Sequence, residues 1–313
     1  MQFVLIILVA VHLLAVNLAG GGPLVAMWLE WQAKRSANFA SWIAAARTLA
    51  IWSLLAAIVG VSLGLIALAM LLYVPPSGSA GAFASAIQQV TTDRWWFTGG
   101  EIAFYLLCVL SYVILLRDPN RRIIPRRVLA IAAATNLLYH FPALFTILAV
   151  VPTRPEFIGV PLDRTVFHKL LIDPEVLSRV VHVWMASFAV TGVATSWIAW
   201  QQRESNTESQ PSDEVRAQSA GGGKLALVAT LVQVPVGVWV LLSLPENQQA
   251  RLLGGDWIAT GVFGFAIFTS LGLMHHLAML ALRDLSARRV ALSAGMISAV
   301  VLLMTTALQL ART

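Results

Sequence analysis

Six histidines carry most of the chemistry that this 313-residue chain could do, and five of them lie in or at the edge of apolar runs: His12, His140, His182, His275 and His276. An ionisable side chain inside a membrane-spanning helix is costly, and it faces a partner or a cavity rather than lipid. A neutral imidazole is also the commonest protein ligand for haem iron. The plainer role for each histidine is a hydrogen bond across a helix bundle or the lining of a polar cavity. Depth sorts them, using the helical rise of about 1.5 Å per residue. His12 and His140 lie about 14 and 16 Å from the outer ends of their helices, a matched depth at which they could approach one iron. His182 lies only about 6 Å in. His275 and His276 sit near the opposite end of their helix and point about 100° apart, so at most one of them faces a given site. Two further side chains stand near the depth of His182. Glu101 could ligate a metal, deliver protons or pair with Arg94; it could equally be an interfacial residue near the positive end of a helix. Met304 is chemically suited to an axial position, or it fills core space as methionine often does.

These residues need elements to hold them, and the composition says which. The chain is 58% hydrophobic and 12% charged, with a mean hydropathy of +0.77; soluble domains carry about 25% charged residues. Eight apolar segments are long enough to cross a bilayer, at 3–29, 49–74, 97–117, 128–151, 178–200, 224–244, 257–282 and 290–310. None shows the alternation of an outer-membrane barrel. The expected fold class is therefore an all-α, polytopic transmembrane bundle of about eight helices. The first run has no basic residue between Met1 and its apolar part and exceeds a signal core in length, so a retained helix is expected. The single cysteine, Cys108, can form neither an internal disulfide nor a paired-cysteine metal site.

Charge sets the expected orientation. Of 21 Lys and Arg, 14 fall after the odd-numbered segments, among them Lys34, Arg35, Arg121, Arg126, Arg216 and Arg288. The positive-inside rule then places those connections in the cytoplasm and both termini outside. The net charge of +6 is this pattern rather than a nucleic-acid patch, and the surroundings are the lipid bilayer of an inner (cytoplasmic) membrane. The connection 152–177 has room for a short surface helix. Residues 201–223, polar and rich in Gly and Ser, read as a flexible linker between residues 1–200 and a three-helix half, 224–313. GGGK at 221–224 lacks the spacing of a phosphate loop.

Several of these residues fall in a familiar pattern. His12, then Gly21, then Glu30, each nine residues apart, resembles the first helix of subunit I of the cytochrome bd quinol oxidases. Pro174 and, eight residues later, His182 in DPEVLSRVVH is similar to that family's segment before its fifth helix. Thr135, Asn136 and Leu137 resemble its Gly-Ser-Asn-Leu stretch, and Glu101 resembles one of two glutamates in its third helix. The likeness runs over roughly residues 5–200. It implies that His12 ligates a high-spin haem b and His182 a low-spin haem b. It also implies that Glu101 serves as a metal ligand or proton carrier. Gly20–Gly22, Ala15, Ala19, Ala186, Ala189 and Gly192 would make room for a planar macrocycle, which puts Gly21 in the cofactor pocket; small residues also permit close helix packing. Beyond residue 200 the family's features are missing. No methionine stands early in the seventh segment. The quinol loop is reduced to LPENQQARLLGG. Val109 stands where a second glutamate belongs. A ninth helix is absent.

The resemblance therefore implies a membrane electron-transfer protein with one or two b haems near the outer face and argues against haem d. His140, Glu101 or Met304 would supply a second ligand or tune the site, and His275 or His276 could form an inner metal site. A quinol or an outer-side cytochrome would be the electron partner, with a second membrane subunit beside it. Two other readings stay open: a divergent terminal oxidase acting on quinol and oxygen, and a transporter or structural membrane protein without haem.

Overall fold

The structure, a computed structural model, describes residues 2–73, 79–204 and 212–312. Eleven α-helices lie among them: α1 (Gln2–Ala33), α2 (Phe39–Tyr73), α3 (Ser79–Gln88), α4 (Thr92–Leu115), α5 (Ile123–Val150), α6 (Arg164–Leu171), α7 (Pro174–Glu204), α8 (Asp213–Ser243), α9 (Glu246–Ala250), α10 (Trp257–Ala281) and α11 (Ala287–Arg312). All but α3, α6 and α9 are long and apolar enough to span a membrane, one for each of the eight apolar runs. The protein is an all-α polytopic membrane bundle. Among the described residues the nearest thing to a sheet is one bridge between Val90 and Leu162.

Several helices begin earlier than their apolar runs. The second starts at Phe39 rather than 49, and α8 starts at Asp213 rather than 224. The extension of α8 has a local cause. Ser212 accepts a hydrogen bond from the Val215 amide, and Asp213 and Glu214 sit in the first turn, where the helix dipole favours negative charge. Of the stretch that composition reads as a linker, 201–204 complete α7 and 213–223 open α8; residues 205–211 lie outside the described residues. Gly221, Gly222 and Gly223 are contact points within α8. A Cβ on them would meet Trp28 of α1, the Gly192 carbonyl of α7 and the Ala281 amide of α10, at 2.5, 2.5 and 2.7 Å.

The first helix is the hub, packed against α2, α5, α7 and α11. Its three consecutive glycines each face a different neighbour. A Cβ on Gly20 would lie 2.7 Å from Leu138 of α5, and one on Gly21 would lie 2.7 Å from the Ser187 carbonyl of α7. One on Gly22 would collide with Ser53 of α2. Successive residues turn by 100° around a helix, so the run lets three helices approach at once.

Proline inside a spanning helix leaves a carbonyl without its donor four residues back. Two such vacancies are filled from other helices. Pro23 cannot bond to Ala19, and the Tyr105 hydroxyl of α4 donates to the Ala19 carbonyl at 2.8 Å. Pro142 cannot bond to Leu138, and the Trp184 indole of α7 donates to the Leu138 carbonyl at 2.7 Å. Lipid offers no such donors, so these aromatic caps replace the hydrogen bonds that water would otherwise supply.

At the end of the bundle opposite the termini, Glu30 meets Arg126 in a buried pair, 1% and 0% exposed. The guanidinium Nε and Nη2 donate to the two carboxylate oxygens at 2.9 and 2.6 Å. Its remaining hydrogens go to the carbonyls of Leu115, Asp118, Pro119 and Arg121. The pair thus closes the α4–α5 turn onto α1.

Candidate functional sites

His12 projects from α1 onto α2. Its Nδ1 lies 2.8 Å from the Gly60 carbonyl oxygen. A carbonyl can only accept, so Nδ1 carries the hydrogen and Nε2 keeps its lone pair. Gly64, one turn further along α2, leaves room for the ring, since a Cβ there would stand 3.0 Å from His12 Cε1. The helix pair therefore fixes both the tautomer and the tilt of the imidazole, as carbonyl partners do for metal-bound histidines.

His182 projects from α7 toward α8. Its Nε2 is 3.5 Å from the amide nitrogen of Gln233, the outer limit of a hydrogen bond. Its Nδ1 is buried and has no hydrogen-bond partner among the described residues. A buried polar atom without a partner costs about 1–3 kcal/mol, so this imidazole is held in place by packing and stands poorly satisfied on both nitrogens. That donor chemistry fits an iron atom.

His140 and Glu101 come together across α5 and α4. Nε2 and Oε1 are 3.8 Å apart, and the side chains are 35% and 17% exposed. Phe97 and Tyr139 meet the ring edge-on at centroid distances of 5.5 and 5.0 Å. Arg94, Phe97, Phe141 and Phe167 help line a small cleft around the pair. The Arg94 guanidinium covers the Phe167 ring at 4.0 Å, which corrects the idea that Arg94 pairs with Glu101. The helix α6 that supplies Phe167 is the surface helix expected within 152–177, and Asp163 caps it.

The remaining residues stand apart. His275 and His276 have ring centroids 5.4 Å apart at 75°; His275 is exposed, whereas His276 is partly buried with an unpartnered Nδ1. Met304 is partly buried on α11. Gly21 serves as the α1–α7 contact described above. His12 and His140, matched in depth, have separate partners. Among the described residues, no three of His, Cys, Asp and Glu converge. The sequence left Gly60, Gly64 and Gln233 unnoticed. The Gly60–Gly64 spacing, small residues one turn apart, is the signal that could have found the seat of His12.

The whole bundle superposes on a solved chain. That chain is from the bd oxidase of Geobacillus thermodenitrificans, with a TM-score of 0.68 over 99% of this chain and 86% of that one. This protein has the fold of a bd oxidase chain. The sequence identity is 14%, and the likeness is one of fold. No protein-family model and no curated protein sequence matches the chain.

Proposed function

We propose that this bd-oxidase-fold protein is a haem b electron carrier of the prokaryotic inner membrane, with His12 and His182 each holding an iron near the outer face. The observation that carries the reading is His182, a buried imidazole with one unpartnered nitrogen and one at the limit of hydrogen bonding. A helix bundle gains nothing in stability from such a residue. His12 supports it, because the Gly60 carbonyl selects the tautomer whose Nε2 can ligate. A bound haem would supply one-electron iron chemistry. The protein's part is to orient the two rings, exclude water, and set the potential through burial and the polarity around each site. The Glu101–His140 pair, partly open to the surroundings, keeps capacity for a proton. A quinol or an outer-side cytochrome would exchange electrons with it, and a second membrane subunit would cover part of the exposed apolar surface.

The test is a reduced-minus-oxidised absorption spectrum of the purified protein, with extraction to count haem per chain. A b-type spectrum is expected. His12→Ala and His182→Ala should each remove or convert one haem while leaving the other. A colourless protein from cells well supplied with haem would sink the reading and favour a structural or transport role. Oxygen consumption with a suitable donor would move it to a terminal oxidase.

A further inference from the structure

At the end of the bundle that holds the termini, five charged side chains crowd against α7: Arg154, Asp173, Glu175, Arg179 and Arg312. Arg154 donates to Asp173 at 3.1 Å and reaches Glu175 at 3.5 Å, and Arg179 donates through Nη2 to Glu175 at 2.5 Å. Glu175 is 2% exposed and Arg179 11%. Arg312 is the last residue of α11, which packs against α7. The cluster holds three guanidinium groups and two carboxylates, so one positive charge is in excess. The two carboxylates also leave donors unused. Arg179 Nε and Nη1 and Arg312 Nε are buried without a hydrogen-bond acceptor among the described residues.

Buried guanidinium N–H groups without acceptors are costly, and an oxo-anion supplies the acceptor oxygens that such donors lack. Arg179 lies three residues before His182 on α7, on a neighbouring face and about 4.5 Å along the axis. His182 carries the other unpartnered buried nitrogen of this region. We infer that Arg179 and Arg312 form a carboxylate pocket that receives the propionate groups of the haem held by His182. This rests on the haem reading above. Guanidinium N–H groups also suit a lipid phosphate; the position one turn from His182, on protein-covered N–H groups, favours the propionate. In this arrangement the arginines are positioning residues, fixing how the macrocycle is rotated about the iron–histidine bond and keeping the electron density at the iron low through their charge.

The experiment uses the full chain carrying His12→Ala, so that one haem is followed, purified from haem-limited cells. It is titrated with haem b and with haem b dimethyl ester, whose propionates cannot ionise, and binding is read from the Soret band. The unaltered arginines should bind the free acid about ten- to a hundredfold more tightly than the ester. Arg179→Gln should bind both alike, at the level of the ester, and lower the midpoint potential. Arg179→Lys should recover part of the preference through its charge. Arg312→Gln gives the same readout, with a smaller loss, should Arg179→Gln fail to fold. Equal binding of acid and ester by the parent would overturn the pocket and leave the haem reading intact. A preference that survives both Gln substitutions would do the same. Loss of co-purifying anionic phospholipid with unchanged haem binding would assign the arginines to a lipid phosphate and overturn the proposal. No Soret change with either compound would overturn both readings.

Discussion

Two carboxylates of this protein face basic side chains across helices at opposite ends of the bundle, and they could hardly be more different. Glu30 and Arg126 are almost fully buried, with a bidentate contact and every remaining guanidinium hydrogen placed on a carbonyl. Glu101 and His140 are 3.8 Å apart, beyond hydrogen-bond reach, beside a cleft. Saturation is the mark of a structural pair, because both carboxylate oxygens and every guanidinium nitrogen are already committed. An unsaturated pair keeps capacity for a proton or a ligand. The resemblance that links Glu30 with His12 and Gly21 draws attention to the first glutamate as much as the second, yet the geometry separates their roles.

The sharpest way to break this contrast is to remove one half of the buried pair. Arg126→Met leaves Glu30 uncompensated and should cost about 3–5 kcal/mol, read as a large fall in thermal unfolding temperature in detergent or as lost expression. Replacing both partners together, Glu30→Met with Arg126→Met, should recover much of that loss, since an apolar pair needs no desolvation. Next in size are the helix contacts. Gly21→Ala puts a methyl against the Ser187 carbonyl and should cost about 1–3 kcal/mol on the same scale. Tyr105→Phe uncovers the carbonyl freed by Pro23 and should cost a similar amount, about 1–3 kcal/mol. Glu101→Gln belongs lower, under about 1 kcal/mol, because the partly exposed pair makes no hydrogen bond. A large loss of stability in Glu101→Gln would collapse the distinction.

The smallest effect lies at a third pair, outside the spanning segments. Asp256 caps α10 by accepting from the Ile258 and Ala259 amides, and Arg251 donates to it at 2.8 Å. The Arg251 hydrogen bond, with help from those amides, holds its carboxyl below the ordinary value of 3.8. The folded state therefore gains from this group above the unfolded pKa and loses that gain as pH falls through the lower folded value. Thermal unfolding followed from pH 5 down to pH 3 should show a shallow decline that Asp256→Asn flattens.

Much of this architecture could be read from the residues in order. Each spanning helix announces itself because a bilayer demands a long apolar run, and α6 because a connection of that length has room for a short helix; the Asp163 cap emerges only in the structure. The edges were harder. Gly221–Gly223 look like linker material since glycine in water is flexible, and only the partners Trp28, Gly192 and Ala281 turn them into contact points. Among the candidate residues, the approach of His140 to Glu101 depends on how α4 and α5 rotate against each other, which their weak apolar asymmetry leaves open. Gln233 opposite His182 was invisible for the same reason. Arg126 reads in the sequence only as a basic residue near a loop, because nothing there tells a solvated arginine from one that holds a turn together with the carbonyl seven residues before it.

Gly20, Gly21 and Gly22 have a consequence for the azimuth of the first helix. Three close contacts in three directions leave that helix one permitted angle about its own axis, and His12, a little over two turns away, inherits that angle. Adding a single residue between them would swing the imidazole by about 100° away from Gly60 without altering any side chain of either site. The glycines act as a key in a lock, and the bearing of His12 is what the key sets.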